Sequence, residues 1–148
     1  MMDETTAART VRRAVDSCYA RGLNLTPLRR RVLEVVASAP TPVSAIAIAE
    51  RLSDPTRHLA PQAVYPTLDF LMEAALVRHV GLRKAYVCCD PQTAGDCAIL
   101  LVCTACDCVS EIAAEPLRAC INRTASLRRF VSGRRPMEIE GLCSACQG

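Results

Sequence analysis

Near the end of the sequence, four cysteines have the type and spacing that chemistry requires. They are Cys103-Thr-Ala-Cys106 and, with 36 residues between, Cys143-Ser-Ala-Cys146. Each Cys-x-x-Cys sets two thiols on one tight knuckle. Two knuckles brought together supply four soft anionic ligands, the set that tetrahedral zinc prefers. Four thiolates leave no open coordination position, so this zinc, one per protomer, is expected to be structural. A metal clip that closes so long a loop can contribute much of the folding free energy. The metal-free readings of the same residues are two thiol pairs or two disulfides. A thiol redox enzyme using Cys103 and Cys106 lacks the βαβ surround that such motifs occupy.

Whatever positions these knuckles must be built from aliphatic residues. Of the 148 residues 51% are apolar, yet aromatics are only 3% and Trp is absent. That length allows one domain or two small ones, each with a modest core. No run of 18 apolar residues occurs, so no membrane span is expected. The opening Met1-Met2-Asp3-Glu4 is too polar for a secretory signal. Ten cysteines without such a signal point to a reducing compartment, the cytoplasm. No His-Glu-x-x-His, Gly-x-Ser-x-Gly or P-loop is present, so neither an enzyme nor a small-molecule substrate is expected. Residues 1–84 carry 12 Lys+Arg against 8 Asp+Glu, whereas residues 85–148 carry 6 against 7. A basic front half and a cysteine-rich back half place nucleic acid in front and metal behind.

Hydrophobic periodicity and capping residues predict helices over residues 10–20, 27–38, 43–52 and about 61–74. The third is expected to bury Ala45, Ile46, Ala49 and Leu52. The fourth is expected to bury Val64, Leu68, Leu71 and Ala75. Short strands over 76–80 and 85–89 then form a hairpin. Three helices, an exposed fourth and a hairpin outline a winged helix-turn-helix, whose last helix lies in the major groove. After a polar linker, residues 90–96, strands are expected at 97–103, 108–112, 130–131 and 137–139. A helix at 115–125 is expected to turn Leu117, Cys120, Ile121 and Thr124 inward. The fold class is thus α+β: a winged-helix domain over 1–89 and a small α/β domain over 97–148 that carries the zinc.

Several stretches carry a family likeness: Leu25-Thr26-Pro27-Leu28-Arg29, and Ala63-Val64-Tyr65-Pro66-Thr67-Leu68-Asp69-Phe70-Leu71 in the fourth helix. Ala75-Leu76-Val77, Tyr86-Val87-Cys88-Cys89 and Gly141-Leu142-Cys143-Ser144-Ala145-Cys146 complete the pattern. With these, residues 10–146 resemble the ferric uptake regulator family, and most closely its zinc uptake regulator branch. The resemblance implies a homodimeric, metal-dependent repressor of metal-uptake genes that binds a pseudo-palindromic double-stranded DNA operator. It implies DNA contacts from Arg29, Arg30, Gln62, Tyr65, Arg83 and Lys84. It also implies a second, regulatory zinc held by Cys89 or Cys88, Asp96 or Cys97, Glu111 and His79. Taken simply as residues, His79 is an ordinary wing residue and Cys88, Cys97, Cys108 and Cys120 are buried small hydrophobes.

Two departures stand out. Pro66 replaces the arginine that usually follows the tyrosine of the fourth helix, so that position offers a base no donor. That helix either starts at Pro61 with Pro66 inside it or starts near Tyr65. The family's histidine-rich run ahead of the first knuckle is missing, which disfavours a ferrous or peroxide-sensing site. A second reading follows from Pro66: a zinc-stabilised dimeric interaction protein with impaired DNA reading.

Overall fold

The computed structural model describes residues 4–89 and 98–148, which fall into two units divided between Cys89 and Asp90. Expectations for the linker, and for Asp96 and Cys97, lie outside the described residues.

The first unit holds four helices, α1 (Glu4–Ala20), α2 (Pro27–Ser38), α3 (Ala45–Leu52) and α4 (Pro61–Glu73), then strands β1 (Val77–Val80) and β2 (Ala85–Cys88). Local chemistry sets the starts. The Thr26 hydroxyl accepts from the Arg29 amide, and Pro27 fills the first turn of α2 where no amide partner is needed. Ser44 caps α3 by accepting from the Ala47 amide at 3.1 Å. Val43 therefore lies outside the helix, and it bridges Tyr86 as a third strand segment beside the hairpin. Antiparallel β1 and β2 pair in the register Val77 with Cys88 and His79 with Tyr86. The core between the helices is aliphatic: Val32, Leu33, Val36, Ile48, Val64, Leu68 and Leu71 are buried.

Two inward assignments are corrected. Ile46 is 57% exposed and Ile48 takes its place, because the cap at Ser44 shifts the phase of the apolar stripe. Ala75 is exposed and Ala74 is buried, because α4 ends before Ala75 and the chain turns away.

In the second unit, β3 (Ala98–Cys103) is the centre of a sheet ordered β4-β3-β5, with β4 (Val109–Ala113) antiparallel and β5 (Met137–Gly141) parallel to it. Helix α5 (Glu115–Ser126) makes the crossover between β4 and β5. Residues 130–131 are not a strand: the chain there is leaving the left-handed turn that ends α5. Leu117, Cys120, Ile121 and Thr124 face out, and the buried residue of α5 is Arg118. Among the described residues no helix is long and apolar enough to cross a membrane.

Candidate metal centre and nucleic-acid interface

Strand register delivers the knuckles to one place. Parallel pairing sets Cys103 beside Gly141, so β3 and β5 end at the same edge. The Thr104 amide then donates to the Gly141 carbonyl at 2.9 Å, and the second knuckle begins two residues further on. Arg118 steadies the approach to β5, donating to the carbonyls of Gly133 at 2.9 Å and Arg135 at 3.1 Å. Sequence reasoning passed over this arginine, since only the fold shows that it crosses the crossover loop.

The sulfurs of Cys103, Cys106, Cys108 and Cys143 all lie within 4.8 Å of one another. Cys106 and Cys143 are 3.7 Å apart. Four sulfurs around a tetrahedral zinc, each about 2.3 Å from the metal, sit about 3.8 Å apart, so the cluster fits that ion. Cys146 adjoins it: its amide donates to the Cys143 carbonyl at 2.9 Å. Three of the expected ligands, Cys103, Cys106 and Cys143, thus lie in this set. Cys146 lies beside it, and Cys108, read from sequence as a core residue, is within it.

Backbone donors make the cluster receptive to a cation. The Cys143 amide, 3.4 Å from the Cys103 sulfur, and then the amides of Cys106 and Ala105 lower the Cys103 thiol to about 6. Cys143 is also lowered, chiefly by a hydrogen bond from Cys146. The outer thiols move the other way: proximity to Cys106 pushes Cys108, and proximity to Cys143 pushes Cys146, up to about 12, which favours their protonated forms. Metal loading must displace those protons.

The residues of the expected second metal site are divided between the units, with His79, Cys88 and Cys89 in the first and Glu111 in the second. In the hairpin, His79 and Cys88 share a face, because their strand partners Tyr86 and Val77 occupy the same row. Cys89 continues the alternation to the other face. The His79 ring packs on Tyr86 with centroids 5.0 Å apart. Cys88 packs against the core, and burial pushes its thiol up to about 12. Glu111 is half-buried in β4 opposite Leu100.

The expected DNA contacts all lie in the first unit. Helix α4 runs continuously from Pro61 through Pro66, which settles where it starts. Gln62, Tyr65, Pro66 and Asp69 form its exposed face at helical spacing. Pro66 has no amide hydrogen, so the Gln62 carbonyl cannot receive its usual bond from four residues on. Arg29 is occupied within the protein: its guanidinium lies 3.6 Å from the Phe70 ring centroid and donates to the Asn24 carbonyl at 2.6 Å. Arg30 pairs with Glu34 at 3.0 Å on the surface. Arg83 and Lys84 stand at the hairpin turn, where Lys84 takes a left-handed conformation (φ 48°).

Solved regulators have similar structures. A structure of holo XcZur is 32% identical, with a TM-score of 0.78 over 91% of this chain and 94% of that one. A zinc uptake regulator complexed with zinc and DNA is 28% identical, with a TM-score of 0.82 over 95% and 94%. The Helicobacter pylori ferric uptake regulator, at 19% identity and a TM-score of 0.54 over 100% and 98%, shares the fold. No curated protein matches the sequence. The sequence model of the ferric uptake regulator family matches residues 20–139, from the end of α1 into β5. With the helices, the hairpin and most of the knuckle-bearing sheet inside that match, the chain belongs to the ferric uptake regulator family.

Proposed function

We propose that the chain is a zinc-responsive, DNA-binding transcriptional repressor that acts as a cytoplasmic homodimer on metal-uptake genes. As a member of a regulator family it is not an enzyme. The observation that carries the proposal is one chain joining a winged helix with an exposed fourth helix to a thiol cluster of tetrahedral zinc spacing. The likeness to a regulator solved with zinc and DNA supports it.

In this reading Cys103, Cys106 and Cys143, with one more thiol, hold a structural zinc that locks β3 to β5. A second, regulatory zinc is held by His79 with Cys88 or Cys89, by Asp96 or Cys97 and by Glu111. Its binding favours the dimer that fits DNA, so zinc and operator bind with linked affinity. On the DNA, Tyr65 and Gln62 face the bases, while Arg30, Arg83 and Lys84 meet phosphate. Arg29 joins them only by giving up its contacts with Phe70 and Asn24. Homodimerisation is supported by the apolar surface of the second unit, where Leu117, Ile121, Phe130 and Val131 are exposed.

Pro66 in the middle of the exposed α4 face favours a second reading, a zinc-stabilised interaction protein that does not read DNA. Selection from a pool of random duplexes, with and without added zinc, separates the two. Enrichment of a pseudo-palindrome only with zinc is the expected result, and no enrichment in either state overturns the repressor reading.

A further inference from the structure

The knuckle region holds five thiols for the four positions of one tetrahedral metal. Cys108 owes its place to strand pairing. The register that sets Val102 against Val109 continues to the next pair, where the Cys103 amide donates to the Cys108 carbonyl at 2.9 Å. Asp107 closes that turn in the left-handed region (φ 59°), its amide donating to the Cys103 carbonyl at 3.1 Å. Cross-strand partners present their side chains on one face. The Cys108 sulfur accordingly lies within 4.8 Å of those of Cys103, Cys106 and Cys143. Cys146 is held beside the same centre by the turn of the second knuckle, where its amide donates to the Cys143 carbonyl at 2.9 Å.

We propose that Cys103, Cys106 and Cys143 are fixed ligands of one metal ion, and that its fourth position is exchangeable between Cys108 and Cys146. The proposal rests on the reading of the cluster as a zinc site and goes beyond it in the ligand set. Either outer thiolate supplies the same donor atom and the same charge, so exchange changes neither ligand softness nor net charge. Zinc imposes no geometric preference through its d-electrons, so the small shift of the fourth sulfur costs little. Loss of both outer thiols leaves three sulfurs and a position for water.

Cobalt(II) loaded into the full chain at one equivalent per protomer, enough for the knuckle centre alone, tests this, because its sulfur-to-metal charge-transfer band scales with the number of thiolates. Cys108→Ser and Cys146→Ser should each keep one metal per protomer and the full band. The double variant should lose about one quarter of the band, one thiolate of four. A drop in Cys146→Ser with no change in Cys108→Ser, or the reverse, fixes the fourth ligand and overturns the exchange. A second measurement needs no substitution. Alkylation of the zinc-loaded protein followed by peptide mapping should label Cys108 and Cys146 each in part, and label on one of them alone again overturns the proposal. Failure of the unsubstituted chain to take up any metal is a different result, and it removes the zinc reading itself.

Discussion

Cys143 has more sulfur neighbours in this cluster than a single ligand pair needs. Its sulfur lies 3.7 Å from that of Cys106 and within 4.8 Å of those of Cys103 and Cys108, and its carbonyl accepts from the Cys146 amide. Its amide also donates to the Cys103 sulfur. It is the residue through which the second knuckle meets the first. Cys143→Ser should therefore release about one zinc per protomer, seen by elemental analysis of the purified protein. Unchanged zinc content would remove Cys143 from the site. Pro66 is the opposite case, a residue that offers no hydrogen-bond donor on an exposed face. Pro66→Arg restores an amide donor to the Gln62 carbonyl and should stabilise the fold by up to about 3 kcal/mol. It should also tighten specific DNA binding by roughly 1–3 kcal/mol, the worth of one bidentate base contact. Titration of both proteins on a selected duplex checks this, and equal affinity and equal sequence preference would mean that this face does not read bases.

At the scale of elements, three helices end in the same way. After α1, the Leu23 amide donates to the Cys18 carbonyl and the Gly22 amide to that of Tyr19, with Gly22 left-handed (φ 66°). After α4, Leu76 donates to Leu71 and Ala75 to Met72, with Ala75 at φ 57°. After α5, Phe130 donates to Ala125 and Arg129 to Ser126, with Arg129 at φ 54°. Only the first of these left-handed positions carries glycine, which adopts that conformation without a Cβ clash. Ala75→Gly should accordingly raise stability by about 1 kcal/mol in urea unfolding, and a loss of stability there would contradict this account of the turn.

These turns also show what the sequence could reveal. Gly22 announced the end of α1, whereas Ala75 and Arg129 gave no sign of a turn. The apolar stripe of α4 accordingly reads one residue too far in the sequence, and residues 130–131 read as a strand. The pairing of knuckles was legible because thiol spacing is local. The entry of Cys108 was not, because it depends on the β3–β4 register. The outward face of α5 was misread for a different reason. Apolar spacing shows that a stripe will be covered but not by which chain.

For the whole molecule, that stripe marks where a second copy is expected. Leu117 is 44% exposed and Ile121 37%, one helical turn apart on α5. Leu117→Glu together with Ile121→Glu should shift the protein to monomer in sedimentation while leaving the knuckle zinc bound. A dimer of unchanged mass would place the interface elsewhere. The charge balance belongs to this scale too. With Pro66 offering no donor, phosphate contacts should carry a large share of the affinity, and DNA binding should fall steeply as salt rises.

The central claim is that one zinc builds the protein and another switches it. Its most direct test is DNA affinity for a selected duplex across a series of buffered free-zinc concentrations, with zinc counted per protomer at each step. Affinity should stay low with one zinc bound and rise as the count goes from one to two. In Glu111→Ala the first zinc should remain and the rise should disappear. Affinity that is indifferent to zinc, or that follows the first zinc alone, would contradict the claim.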